Sequence, residues 1–236
     1  MSDYDIFFKF YDQVMGDREK SARDILVYIQ EYAPHAKKVL ELACGTGSVL
    51  NILSPKYEVS GLDLSQWMLK IASEKLPWVK FYHQNMVDFK IDEKFDVILC
   101  VFDSINHILD FEDWKKLFMN VRNHLSSNGV FIFDINTQEK LIRTIKESPW
   151  VKPFEENIMI MDVVDGGNEV SNWNIKIFQK KENNMYELHE ENIREISFPM
   201  EKIENELKYI YTEVVIQDKI RKSPETAADS VYFICS

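Results

Sequence analysis

Hydrophobic positions along the chain follow two periods, and the switches between them lay out the elements. Ile25, Leu26, Ile29 and Tyr32 recur at helical spacing ahead of Pro34, which predicts an amphipathic helix from about Asp17 to Ala33. Lys38 to Ala43 (KVLELA) is a short apolar run closed by Gly45 and Gly47, the pattern of a buried strand ending in a tight turn. A helix begins near Ser48. A second strand spans Glu58 to Leu62, and Ser65 caps a helix carrying Met68, Leu69, Ala72 and Leu76. A third strand falls near Lys80 to His83 and a fourth at Phe95 to Phe102 (FDVILCVF). The next helix sets Trp114, Leu117, Phe118, Val121 and Leu125 on one face. Asn128-Gly129 reads as its C-cap, and Val130 to Asp134 as a fifth strand flanked by loops.

From Trp150 to Phe198 the period becomes two. Trp173, Ile175 and Ile177 alternate with Asn174 and Lys176, with turn signals at Asp165-Gly166-Gly167-Asn168 and Lys181-Glu182-Asn183-Asn184. A helix near Met200 to Leu207 and strands Thr212 to Asp218 and Ser230 to Cys235 end the chain. Helices alternating with strands that are apolar at nearly every position require a parallel sheet covered on both faces. The predicted fold is α/β: a doubly wound, mainly parallel seven-stranded sheet with a small inserted antiparallel sheet. Residues 1–149 form the core with an N-terminal helical segment, 150–198 the inserted sheet, and 199–236 the return to the core.

Composition fits this layout without changing it. The 236 residues, 45% hydrophobic and 28% charged, suit one α/β core plus an insertion, with no disorder-like stretch. The net charge of −11 opposes binding by phosphate neutralisation, so nucleic acid is disfavoured. Cys44, Cys100 and Cys235 are few, odd in number and far apart, which argues against a disulfide framework or a cysteine zinc site and for a reducing cytoplasm. The start MSDYDIFF lacks a basic stretch followed by an apolar one, and no segment has the length of a membrane span. Neither export nor a membrane partner is expected.

Gly45-Thr46-Gly47 lies between a strand and a helix, where a ligand can approach the backbone and meet free N–H groups. A tight turn alone would also explain it. Asp63 ends the second strand, sixteen positions after Gly47, where a carboxylate can accept both hydroxyls of a ribose. A nicotinamide or flavin enzyme would want a third glycine where Leu50 stands, to pack helix on strand over a pyrophosphate.

The string VLELACGTGSVL, followed by VSGLDLSQWML, closely resembles the class I S-adenosylmethionine-dependent methyltransferases. That resemblance implies S-adenosylmethionine as cofactor and a Rossmann-like methyltransferase fold. It puts Glu41, Ala43, Gly45 and Gly47 on the cofactor loop, with Glu41 at the methionine end and Ala43 where glycine is usual. Asp63 carries the ribose beside Leu64, while Trp67 or Met68 either flanks it or serves the core. Asn85 and Met86 face the adenine, and Val101 and Phe102 lead into the stretch to His107 that lines the transferable methyl.

Methyl transfer from a sulfonium needs alignment, exclusion of water and, for a protonated amine, a base, so a metal is not obligatory. Asp103, Asp134 and Asn136 imitate a magnesium cluster only loosely, and no metal is expected. His107 and His189 are the candidate bases, each with an ordinary structural alternative; Glu187 and His189 share a strand face. The segment YELHEENIR and the start FFKFYDQVM are similar to small-molecule N-methyltransferases, including amino-sugar enzymes. This similarity implies Tyr11 over the cofactor, the inserted sheet as lid and acceptor platform, and a small-molecule amine as acceptor, in a monomer or homodimer. An RNA or protein methyltransferase and a non-catalytic nucleoside-binding module stand as the alternatives.

Overall fold

The computed structural model describes residues 6–16, 18–220 and 228–236. A short helix, α1 (Tyr11–Met15), precedes α2 (Glu19–Tyr32). There follow β1 (Lys38–Leu42), α3 (Ser48–Leu53), β2 (Glu58–Asp63), α4 (Gln66–Lys75), β3 (Lys80–His83), β4 (Phe95–Cys100), α5 (Phe111–His124), β5 (Leu125–Asn136) and α6 (Gln138–Glu147). Next come β6 (Trp150–Phe154), β7 (Asn157–Asp165), β8 (Ser171–Lys180) and β9 (Tyr186–Glu195), then α7 (Met200–Ile210), β10 (Val214–Ile220) and β11 (Ser230–Cys235). The seven-stranded sheet runs β3-β2-β1-β4-β5-β11-β10, with β1 to β5 mutually parallel and β11 antiparallel to both its neighbours. This is the α/β sheet the apolar pattern predicts.

Both faces of that sheet are dry along its central strands, which is why those strands are apolar at successive positions. Val39, Val97, Leu99 and Ile132 pack with Ile25 and Ile29 of α2 on one face. Leu40, Leu42, Ile98 and Phe131 pack with Trp114, Phe118 and Leu207 on the other. Strand order reverses between β1 and β4, so the loops after these two strands diverge and leave a crevice at their carboxyl ends.

Several expected boundaries move. The first strand stops at Leu42, because Ala43 is left-handed (φ 52°). The fourth stops at Cys100, because Phe102 and Asp103 are left-handed (φ 61° and 56°). Asn128-Gly129 does not cap α5, which ends at His124 and passes directly into extended chain. Both residues lie inside β5, where its register against β4 is irregular, and a Cβ on Gly129 would come within 3.0 Å of the Phe95 carbonyl oxygen. The glycine serves close approach of two strands, a role that bulges commonly impose. Helix α6 stands where a loop was expected; only Leu141 and Thr144 are buried on it, too thin a stripe to show in the pattern. Asp17, the expected start of the second helix, lies outside the described residues.

The inserted sheet runs β6-β7-β8-β9, antiparallel throughout, with both expected turns in place. Its buried side chains Phe154, Met159, Ile175, Ile177 and Ile193 form one cluster with Phe7, Phe10 and Val14 of the N-terminal segment. Among the described residues no helix is long and apolar enough to cross a membrane.

Candidate active site

The loop after β1 is built from left-handed backbone. Ala43, Gly45 and Gly47 have φ of 52°, 52° and 78°. Gly45 is open to the cavity side, a Cβ there meeting only the Tyr11 ring at 3.9 Å. Gly47 serves packing, since a Cβ would lie 3.0 Å from Leu76 Cδ1. Asp63, at the end of β2, fixes this loop: one carboxylate oxygen accepts the Gly45 N–H and the other the Ser65 N–H, both at 2.8 Å. Ser65 in turn accepts from the Met68 N–H and caps α4, as its sequence position predicts.

Glu41 is the second acid. It is buried, and its Oε2 has no hydrogen-bond partner. Burial first, and then the nearby Asp63 carboxylate, hold its pKa well above the usual range, against the opposing pull of Arg18. Burial also raises Asp63, opposed by the N–H groups of Ser65, Gly45 and Leu64. Buried Glu41, with its unsatisfied oxygen, and the partly buried Asp63 give the site an acidic character that Arg18 only partly offsets. S-adenosylmethionine brings an ammonium and a sulfonium, so these residues fit it.

A cavity of about 340 Å³ lies at the carboxyl ends of the strands, lined among others by Tyr11, Ala43, Gly45, Asp63, Leu64, Met68, Asn85, Met86, Phe102 and His107. A smaller one of about 30 Å³ shares Tyr11, Ala43, Gly45 and Phe102 with it and adds Glu41, Val101 and Arg18. The two cavities are thus lined by every residue assigned from the sequence to cofactor binding or catalysis except Gly47 and His189. Gly47 faces a separate groove beside Arg18 and Ser48. His189 sits on β9 against Phe10 (5.3 Å between rings), with Nε2 3.1 Å from Gln179 Oε1 and 3.8 Å from Glu187 Oε2. Trp67 is largely exposed and stacks on Phe8. Asn85 Oδ1 accepts the Val87 N–H at 2.9 Å, which fixes the side chain at the cavity wall.

Tyr11 is held over the loop from the N-terminal segment. Arg18 donates to its hydroxyl at 3.3 Å and lies 4.0 Å from the centre of the Phe102 ring. Burial raises the Tyr11 pKa, which Arg18 partly offsets. Asp12, one residue on, accepts from the Thr46 hydroxyl at 2.6 Å and pairs with Lys75. His107 ends a short 3-10 turn, Ser104–His107, after the strained pair Phe102-Asp103. Its Nδ1 lies 3.2 Å from the Arg194 carbonyl at the end of β9. A carbonyl only accepts, so Nδ1 carries the hydrogen and Nε2 the basic lone pair.

Three residues of this region escaped the sequence reading. Nothing in the pattern marks Arg18. Asn106 is wholly buried one position before His107. Glu195 is also buried, on the same alternation as Ile193, and a charge at an inward position of a strand was the available signal. Among the described residues no group of three or more His, Cys, Asp or Glu is placed to hold a metal ion, Asp103 and Asp134 included.

Comparison with known proteins agrees with this geometry. The methyltransferase domain family matches residues 39–129. A crystal structure of an S-adenosylmethionine-dependent methyltransferase from Clostridium acetobutylicum ATCC 824 superposes with a TM-score of 0.84 at 30% identity, covering 98% of this chain and 97% of that one. A protein of Bacillus subtilis (strain 168) named "Putative methyltransferase YqeM" is 28% identical over 210 residues, 87% of this chain and 84% of its own. The dTDP-3-amino-3,6-dideoxy-alpha-D-glucopyranose N,N-dimethyltransferase of Streptomyces fradiae is 30% identical over 119 residues, 50% of this chain and 47% of its own. A crevice at the strand switch point, with buried Glu41 and partly buried Asp63 on its wall, suits a nucleoside cofactor on a doubly wound sheet. The chain belongs to the class I S-adenosylmethionine-dependent methyltransferases.

Proposed function

We propose that the enzyme methylates the nitrogen of a small-molecule amine, with the stretch from Phe102 to His107 and the inserted sheet forming the acceptor side. Bound S-adenosylmethionine supplies a methyl group on a positively charged sulfur. Asp63, beside Leu64 and Met68, would accept the ribose hydroxyls, Glu41 would balance the ammonium of the methionine end, and Asn85 and Met86 would hold the adenine. Val101 and Phe102 close the sulfur side, and Tyr11 covers it from the N-terminal segment, excluding water.

The single observation that carries the amine reading is the placement of His107. It lines the cavity, and its Nδ1–H is committed to the Arg194 carbonyl, so Nε2 is the nitrogen that can take a proton from an ammonium acceptor. The N,N-dimethyltransferase among the relatives acts on an amine nitrogen, which supports the same choice. His189 lies outside both cavities and has no part in this reading.

The test is transfer of radiolabelled methyl from S-adenosylmethionine to a panel of amines, amino sugars, phenols, carboxylates and unmodified tRNA. Label is expected in the amine and amino-sugar arms; incorporation confined to phenols, carboxylates or tRNA overturns the proposal. With an amine that is turned over, His107→Gln should lower kcat by about 100-fold and leave cofactor affinity within a few-fold. An equal loss in both would make His107 a structural residue.

A further inference from the structure

Behind His107, away from the cavity, a polar joint ties the inserted sheet to the core. Asn106 is its centre. Its Nδ2 donates to the carbonyls of Ile196 (2.7 Å) and Asn136 (3.1 Å), and its Oδ1 accepts the Asn136 N–H at 3.0 Å. Its own carbonyl accepts the Ile196 N–H at 2.9 Å. Asn136 then reaches the last residue of β9, its Nδ2 donating to Glu195 Oε2 at 3.0 Å, while its Oδ1 accepts from Lys140 on α6. So the residue after His107's own backbone anchor, Arg194, is a carboxylate only 5% exposed, at a junction of four segments. A carboxylate is costly to bury, and an amide of the same shape would satisfy Asn136 equally well. The charge needs a reason beyond the joint.

We infer that Glu195 is a positioning residue for His107: it holds the imidazole at the acceptor side through the β9 end and supplies the counter-charge when His107 takes the acceptor's proton. This rests on His107 being the base. In that step the N–H bond of the ammonium acceptor breaks and its electron pair stays on the acceptor nitrogen. The proton forms an N–H bond at His107 Nε2, and the Glu195 carboxylate offsets the positive charge so formed.

The electrostatics of the joint agree. Burial, and secondarily Asp103, push the Glu195 pKa up to about 7, while His107, the Asn136 hydrogen bond and Lys140 pull it down. The charged and titratable groups that act on Glu195 are Asp103 and His107 from the stretch after β4 and Lys140 from α6. Near neutral pH the carboxyl can lose its proton and become the counter-charge that the imidazolium requires.

Glu195→Gln keeps the shape and an oxygen for Asn136 and removes only the charge. With an amine that is turned over, wild-type kcat/KM is expected to rise through pH about 7 as Glu195 ionises, and in the Gln variant, with that carboxylate gone, the rising limb should move to lower pH. Its kcat above the inflection should fall about tenfold with unchanged cofactor affinity, and Glu195→Asp should recover part of the loss. A Gln variant with the wild-type profile overturns the proposal, as does a loss of kcat in which the rising limb does not move. Should the Gln variant not fold, carboxyl NMR decides without any substrate. The Glu195 midpoint should move upward in His107→Gln, because a cationic neighbour is lost; an unmoved midpoint overturns the coupling. Wild-type turnover in His107→Gln with a moved midpoint would instead retire His107 as base, so the two failures are told apart.

Discussion

The two halves of the crevice are assembled in different ways. On the cofactor side each group sits at the end of its own strand: Glu41 and Ala43 at β1, Asp63 at β2, Asn85 just past β3, and Val101 and Phe102 past β4. The turns that aim them are local, and Asp63 reaches only as far as Gly45 and Ser65. On the acceptor side the pieces come from opposite ends of the chain. The N–H groups of Ile6 and Phe7 donate to Glu191, and Lys152 donates to the Val14 carbonyl. A switch point in a parallel sheet makes a site from short-range backbone geometry, whereas a platform added to it must be held by long-range packing. The N-terminal segment bridges the two, with Phe10 in the inserted sheet's cluster and Asp12 on Thr46.

The sharpest way to break this division is to remove the long-range packing alone. Phe10 is 4% exposed and packs edge-on against Phe154 with ring centres 6.1 Å apart. Phe10→Ala should destabilise the acceptor side by about 3 kcal/mol, through lost burial and the cavity left behind. Amide exchange should quicken across β6 to β9 and the N-terminal segment while β1 to β4 stay protected, and cofactor affinity should weaken less than tenfold. Uniform acceleration across both sheets would mean that the halves open as one unit and are not separable.

The complementary change belongs to the cofactor side. Asp63→Ala removes the carboxylate proposed to accept the ribose hydroxyls and the partner of two backbone N–H groups, so S-adenosylmethionine affinity should fall by about 100-fold, or roughly 3 kcal/mol. The inserted sheet's exchange rates should not change. Calorimetry gives the answer directly, and an unaltered affinity would remove Asp63 from the ribose.

The same contrast explains what could be read from the chain. The strands β1 to β4 and Ser65's cap were legible because apolar runs and turn residues are neighbours in sequence. The inserted sheet was legible as a sheet, from the alternation around Trp173 to Ile177 and its two turns. Its packing partners were not, since nothing local in FFKFYDQVM says that Phe7 and Phe10 meet Ile175 and Ile193. His189 shows the same limit: sharing a face with Glu187 is a local fact, and which face looks into the cavity is not. Asn106 and Glu195 were hidden likewise, since their partners Asn136 and Ile196 lie 30 and 90 positions from Asn106.

Ala43 gives the smallest and most local test. At the sequence level it was the loop's one irregularity, because a side chain discourages the left-handed backbone a glycine would take. The structure keeps that backbone regardless, at φ 52°, which costs an alanine about 1 kcal/mol. Ala43→Gly relieves the strain but gives the unfolded chain more freedom, so the two effects oppose each other. Where φ is positive the strain is the larger, and a net gain of up to about 0.5 kcal/mol is expected, read as a rise in Tm of roughly 1–2 °C for a chain of this size. Cofactor affinity should stay within about twofold, since the turn is already held by Asp63. A lower Tm would show instead that the alanine methyl contributes packing on the cavity wall, and that even the local half of the crevice depends on side-chain contacts as well as on backbone geometry.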